Sequence, residues 1–397
     1  MWSLQAFSAY ITAAIGLYIF SIIFQRHFRT PLRKFPGPLV APSTRLWHLY
    51  HAFKGDFVLA LIDLHRKHGH FVRIAPGEVS VSHPDGVRKI LHNSLTKAPW
   101  YRITAIPDAR FQNMFSTLEP GAKREVAKHY TSAYTTTNLI QSEVRLDATF
   151  EMLKGWLEKY ADDNKPMKLG AYLNFTSYDA AGTMIFSKPF GFLETGIDLG
   201  NQTWVSKTVN LYALIAGHMY WLHNLVASNP IVTRTGVNPM IRVHDRTIKA
   251  IKERVQNPDA SFDMVAHWLR AGQENPDAVH DHDIAAHAII SVIGASDTLA
   301  VGLQGFLYHM TKQPLLYQRL REEIDAACAE GRCNTSVVQF ADTKRLGYLQ
   351  ACIKESLRIF SPFSSAISRL VPENGLRIGQ ETFPSGTIVS VCPWVMH

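Results

Sequence analysis

Two places in the chain set reactive side chains at a meaningful spacing. Asp297 and Thr298 follow the small residues Gly294-Ala295-Ser296 in the middle of a long apolar stretch, Asp283 to Met310. A carboxylate and a hydroxyl there can deliver protons to a ligand lying in a local opening of a helix groove. The plainer alternative has Thr298 bonding back to the carbonyl of Gly294, with Asp297 paired to a neighbour. Glu355 and Arg358 stand three apart in YLQACIKESLRIF, Tyr348 to Phe360, and so share a helix face. Exposed, such a pair contributes about 0.2–0.5 kcal/mol. Leu349, Ile353, Leu357 and Ile359 surround it with apolar neighbours, and burial among them would make it structural and network-forming.

The stretch Asp283 to Met310 must position the first pair. Asp281 and Asp283 can cap a helix start, Pro314 follows its end, and as a helix it would run on the order of 40 Å. Apolar residues on every side predict burial all round. A membrane span is the rival reading, but Asp283, His287, Asp297, Gln304 and His309 are costly in lipid. The stretch therefore reads as the central helix of a soluble domain.

Helical periods also mark residues 57–67, 122–134, 142–160, 171–186, 243–255, 262–272, 315–329 and 347–360. Short strands are expected at 71–74, 79–81, 366–371, 376–378 and 387–391, with a loop rich in Gly and aromatics at 187–200. Trp204 to Leu225, without a charge after Lys207, reads as a substrate-side or membrane-dipping helix pair. The fold class is mainly α with a small β region assembled from both chain ends.

The 397 residues are 46% hydrophobic and 19% charged, with a formal charge of +8. The cations are not grouped as nucleic-acid binders group them, so no nucleic acid is expected. Arg26, Arg29, Arg33 and Lys34 directly follow Ala6 to Phe24, an uncharged run about long enough to span a bilayer. A cleaved signal peptide would place its charge before the apolar run. The expectation is a retained anchor at 1–25, a basic and proline-rich hinge at 26–40 around Phe35-Pro36-Gly37-Pro38, and a domain at 41–397. By the positive-inside rule the domain is cytosolic and touches membrane lipid, and the sequons at Asn174, Asn201 and Asn334 stay unglycosylated. Cys328, Cys333, Cys352 and Cys392 form no CxxC pair, which favours a reducing compartment.

Taken in order, these features make the chain resemble a microsomal cytochrome P450 of the fungal pisatin demethylase and benzoate hydroxylase type. The resemblance includes the FPGP hinge, LWHLYHAFKGD (Leu46 to Asp56), LHRKHGHFVRI (Leu64 to Ile74), FSKPFGFL (Phe186 to Leu193) and PSGTIVSVCPW (Pro384 to Trp394). Gly294 to Thr298 resembles the oxygen-activating motif, and Glu355 to Arg358 matches the ExxR pair. Arg369 stands where the family places a basic contact to a haem propionate, and Lys123 or Arg124 is the corresponding contact from the helix near residue 120.

The resemblance implies a haem monooxygenase of the endoplasmic reticulum, single-pass, with Asp297 and Thr298 catalytic. NADPH-cytochrome P450 reductase would supply electrons, and the substrate would be a hydrophobic small molecule, as the apolar and aromatic stretches 96–115 and 204–225 suggest. Three departures stand out. Gly294 and Ala295 exchange the family's order, with Leu299 where a second Thr or Ser is common. The family's His and paired arginines near residue 120 are replaced by Glu119-Pro120-Gly121-Ala122-Lys123-Arg124-Glu125. The sequence stops at His397, before the Phe-x-x-Gly-x-x-x-Cys-x-Gly loop, so the axial cysteine is expected beyond it and no metal ligand within it. The P450 fold is then incomplete at its C-terminus, and the alternative function is a truncated, non-catalytic P450-like membrane protein. A helical receptor or transporter would need several spans, and only one segment is convincing.

Overall fold

The computed structural model describes residues 2–226, 228–229, 231, 240–256, 263–333 and 335–396. The sequon at Asn334, Phe262 and His397 lie outside the described residues. The chain divides into two compact units, Met1–Ala98 with Ser364–His397, and Pro99–Phe363.

In the first unit, α1 (Trp2–Phe28) is a helix of 27 residues. It is followed by α2 (Leu46–Lys54) and α3 (Phe57–His68), joined where Gly55 adopts the left-handed conformation that ends α2. Strands β1 (Phe71–Ala75) and β2 (Glu78–Val81) form a hairpin over Pro76-Gly77. Four strands come from the far end of the chain: β3 (Ile367–Leu370), β4 (Leu376–Ile378), β5 (Glu381–Phe383) and β6 (Ile388–Val391). One sheet has the order β1-β2-β6-β3, with β6 parallel to β2 and antiparallel to β3, while β4 and β5 pair as a separate hairpin. The sheet is thus assembled from both chain ends, and β5 is a strand that the sequence pattern did not show. Val79, Val81, Val389, Val391 and Phe383 form its apolar layer, and Phe35 of the hinge stacks on Phe383 at 5.0 Å between ring centres. The hinge is held: Arg73 N–H donates to Pro36 O at 2.8 Å, and a Cβ on Gly37 would overlap the Arg73 carbonyl.

The second unit is helical. Its longer helices are α4 (Pro120–Tyr130), α5 (Glu143–Asp162), α6 (Leu169–Phe186), α7 (Gln202–Ala216), α8 (Tyr220–Val226), α9 (Met240–Gln256), α10 (Met264–Glu274), α11 (Asp281–Lys312), α12 (Pro314–Ala329) and α13 (Gly347–Ile359). The apolar stretch 204–225 is a helix pair broken at Gly217, where an added Cβ would lie 2.5 Å from the Trp100 ring. The loop at 187–200 includes one short turn of helix, Phe192–Thr195, fixed by the buried Asp179. That carboxylate accepts from the N–H groups of Gly191, Phe192 and Leu193 at 2.8, 3.2 and 2.8 Å.

Helix α11 is the axis of this unit and runs slightly beyond the expected ends. His280 is its N-cap and Asp283 closes the capping box by accepting from the His280 N–H at 3.1 Å, so Asp283 acts from inside the first turn. The N-terminal half packs into a core of Trp268, Val265, Tyr130, Ile185 and Ala181 through Ile284, Ala288 and Val292.

Candidate active site

Burial changes character halfway along α11. From Ile284 to Ile289 every residue is buried, including His287. The His287 ring lies 3.5 Å from that of Tyr130, its Nε2 accepts from the Met114 N–H at 3.2 Å, and its Nδ1–H donates to Asp283 O at 2.8 Å. Burial lowers its pKa to about 4. From Val292 to Ala300 the helix is covered on one side only. Ser296 and Ala300 are buried, whereas Gly294, Ala295, Thr298 and Leu299 form an exposed stripe on the other face. Burial all round therefore holds for the first half of the helix and fails in the middle.

The two reactive residues of α11 point apart, as a helix turn of about 100° per residue requires. Thr298 lies on the open stripe, its hydroxyl donating to Gly294 O at 2.6 Å, which is the back-bonded arrangement. Asp297 is turned towards α6 and α7. It accepts from Asn210 Nδ2 at 2.9 Å, from the Tyr178 hydroxyl at 3.3 Å and from the Ser206 hydroxyl. Burial and the Asp297 charge push the Tyr178 pKa up to about 12, so the phenol stays a donor. Gln202 Nε2 reaches the Tyr178 hydroxyl at 3.5 Å, and Arg246 donates to Gln202 Oε1 at 2.9 Å. Sequence reading missed these partners, although Gln202, Ser206 and Asn210 form a polar i, i+4, i+8 row on one face of the helix.

Glu355 and Arg358 meet through two bonds, at 2.6 and 2.7 Å. Their side chains are 58% and 56% exposed, so the apolar neighbours do not enclose them. The reason is the rotation of α13, which turns Leu349 and Cys352 towards Met310 and Leu320. The pair is left on the flank, and Leu357 is itself 44% exposed.

Lys123 and Arg124 are exposed in the first turns of α4, after Pro120. In the first unit Arg369 is half-buried on β3, with Nη1 donating to Ser368 O at 2.9 Å. Lys97 faces it across an antiparallel bridge and is only 6% exposed. This second cation, 272 positions away in the sequence, was invisible before the fold. The cysteines are dispersed. Cys328 is exposed, Cys333 packs with Ala327 and Leu346, Cys352 with Met310, and Cys392 with Leu61, Val72 and Ile74. Among the described residues, no group of three or more His, Cys, Asp or Glu is placed to hold a metal ion.

The cytochrome P450 family model matches residues 36–397, nearly the whole chain. The chain belongs to the cytochrome P450 family. It is 30% identical to the cytochrome P450 monooxygenase cicH of Emericella nidulans, over 96% of this chain and 78% of that protein. A cytochrome P450 monooxygenase of Aspergillus flavus is 28% identical over 92% of this chain and 74% of its own length. A pisatin demethylase of Fusarium vanettenii is 27% identical over 93% and 72%.

Membership of the P450 family implies monooxygenase activity and a haem cofactor, and the residues present fit a flat macrocycle. The α11 stripe is poor in side chains, and a Cβ built on Gly294 meets nothing within 4 Å. Such a surface in the middle of a core helix is what a flat aromatic group needs. Among the described residues of the P450 chain, two helices are long and apolar enough to cross a membrane, within residues 10–28 and 281–312.

Proposed function

We propose that the chain acts as a haem-thiolate monooxygenase that inserts one oxygen atom from O2 into a hydrophobic organic substrate of fungal secondary metabolism. The observation that carries this reading is the open Gly294, Ala295, Thr298, Leu299 stripe on α11, in a chain whose family match is nearly complete. The haem supplies the oxygen-binding iron when bound. Arg369, with Lys123 or Arg124, pairs with its propionates, and Lys97 joins Arg369. Thr298 offers its hydroxyl on the open face once it rotates off the Gly294 carbonyl. Asp297 stores negative charge behind the stripe, held by Ser206, Asn210 and Tyr178, and accepts or returns protons there. Glu355 and Arg358 form the structural pair of α13. The substrate meets the apolar and aromatic side chains of 99–115 and 204–225.

In this reading α1 anchors the protein as a single pass in the endoplasmic reticulum membrane with the remainder cytosolic, and NADPH-cytochrome P450 reductase delivers the electrons. The four cysteines are dispersed: three are packed in separate apolar clusters and Cys328 is exposed. That dispersal favours a second reading, in which these residues bind haem or ligand without oxygenating anything. The reduced carbon-monoxide difference spectrum of the haem-loaded 397-residue chain separates the possibilities. A thiolate-type Soret band supports the monooxygenase, and haem uptake without one supports the second reading. A thiolate-type band from these residues would make one of the four cysteines the ligand, and failure to take up haem would overturn the cofactor assignment.

A further inference from the structure

The segment FSKPFGFL, Phe186 to Leu193, takes no part in the haem reading. Between it and α9 lies a cleft of about 520 Å³, within the size range of small-molecule sites. Its floor is aromatic: Phe186 and Phe192 are buried, and the Phe190 ring lies 6.0 Å from that of Phe186. Its rim is cationic, with Lys188 on the loop and Arg246 and Lys249 on α9. Arg246, Lys249, Ala250 and Glu253 stand at i, i+3, i+4 and i+7, so a single face of α9 forms that wall. Among the described residues, none of α11 lines the cleft.

The walls are held by the protein's own contacts. A Cβ on Gly182 of α6 would lie 2.7 Å from Lys188 O, so the loop is seated directly on that helix. Ser187 turns through the left-handed region at φ 60°, and its hydroxyl donates to Asp263 at 2.6 Å. The buried Arg254 donates to the same carboxylate at 2.5 Å, which neutralises this deeper cation in place. Arg246 is fixed differently. It donates through Nη1 to Gln202 Oε1 at 2.9 Å and through Nη2 to Leu199 O at 3.0 Å, and a Cβ on Gly200 would overlap Nη2. Those bonds use two of its five N–H donors, and both acceptors are neutral. Glu253 is the one carboxylate among the described lining residues, 3.1 Å from Lys188 and 3.9 Å from Lys249. Three rim cations therefore share one counter-charge.

We propose that this cleft binds a small aromatic carboxylate, its ring on the Phe190 side and its carboxylate between Arg246 and Lys249. A fixed guanidinium with unused donors matches a planar carboxylate, and the aromatic floor matches a ring. The site is independent of haem, and so is its test. The full 397-residue chain in detergent is titrated calorimetrically with 2-naphthoate against a detergent blank. One saturable site is expected, with 2-naphthamide at least about tenfold weaker because the charge-assisted bonds are lost. Lys249→Gln should weaken naphthoate binding by about twofold to fivefold, and Glu253→Gln should tighten it by a similar factor. These side chains are 80% and 43% exposed, so neither change threatens the fold. Equal binding of the acid and the amide overturns the proposal by removing the carboxylate from recognition. Unchanged affinity in both variants overturns it by placing naphthoate elsewhere on the protein, and the absence of saturable binding overturns it outright.

Discussion

Helices α1 and α11 pass the same test of length and composition, yet they occupy opposite environments. The apolar windows average a mean hydropathy of 1.3 in α1 and 1.7 in α11, so the more apolar helix is the interior one. None of the first window is buried within the protein, against half of the second. What separates them is the pattern of the exceptions. Residues 6–24 hold no charge, and cations collect just after them. In α11 the polar side chains are spread along the helix, and each of His287, Ser296 and Asp297 has a hydrogen-bonding partner. Apolar content alone does not say which solvent a helix faces; the cost of its polar residues does.

The contrast can be broken most directly by truncating one side chain in each helix. Ile284→Ala in α11 removes a side chain 2% exposed and should cost about 2–5 kcal/mol in urea unfolding. Ile15→Ala in α1, at 53% exposed, should leave the unfolding midpoint of the domain unchanged. Equal losses would place α1 in the core as well.

Next in size is acid sensitivity. His287 is neutral in the folded state because burial lowers its pKa from 6.5 to about 4. Between those values the unfolded chain binds the extra proton, so stability falls as pH drops from 6.5 to 4, by about 3 kcal/mol from this residue. Protonation would also oppose the bond it accepts from Met114 N–H. In His287→Asn, the difference in unfolding free energy between pH 7 and pH 4 should shrink by about that amount. An undiminished difference would show that the imidazole is not the sensitive group.

The two faces of α11 give a smaller and sharper comparison. A Cβ on Gly305 would lie 2.6 Å from the Phe360 ring, so Gly305→Ala should destabilise by about 1–3 kcal/mol. Gly294 has open space at the same atom, and Gly294→Ala should stabilise the haem-free chain by up to about 1 kcal/mol through helix propensity. The same change should weaken haem uptake in a Soret titration if the stripe receives the macrocycle; unaltered uptake would move the haem elsewhere. The smallest effect belongs to Glu355→Ala, whose exposed pair should contribute no more than about 1 kcal/mol to the stability of the 397-residue chain.

Much of the fold was legible. Periods of 3.6 found the long helices to within a few residues, because each buries one side against a neighbour. Alternating β-branched residues found β1, β2, β3, β4 and β6. The strand Glu381–Phe383 was missed because three residues, one of them apolar, carry no period. At the candidate site, Asp297 and Thr298 stood out through their contrast with an apolar surrounding. The exposure of Glu355 and Arg358 did not, because apolar neighbours in sequence say nothing about which way a helix is rolled.

By itself the sequence determined the family, the central helix, the apolar N-terminal segment with its trailing cations, and the residues able to carry chemistry. These are local or ordered features, set by composition and spacing along one chain. Only the tertiary structure decided that Asp297 turns away from Thr298 to meet Ser206, Asn210 and Tyr178. It also decided that Lys97 faces Arg369, that the buried Arg73 donates to Arg26 O in the last turn of α1, and that Leu46, Tyr50 and Phe53 of α2 are exposed. Each depends on how distant elements are rotated against one another, and that rotation is fixed by packing over the whole unit and by no single stretch of residues.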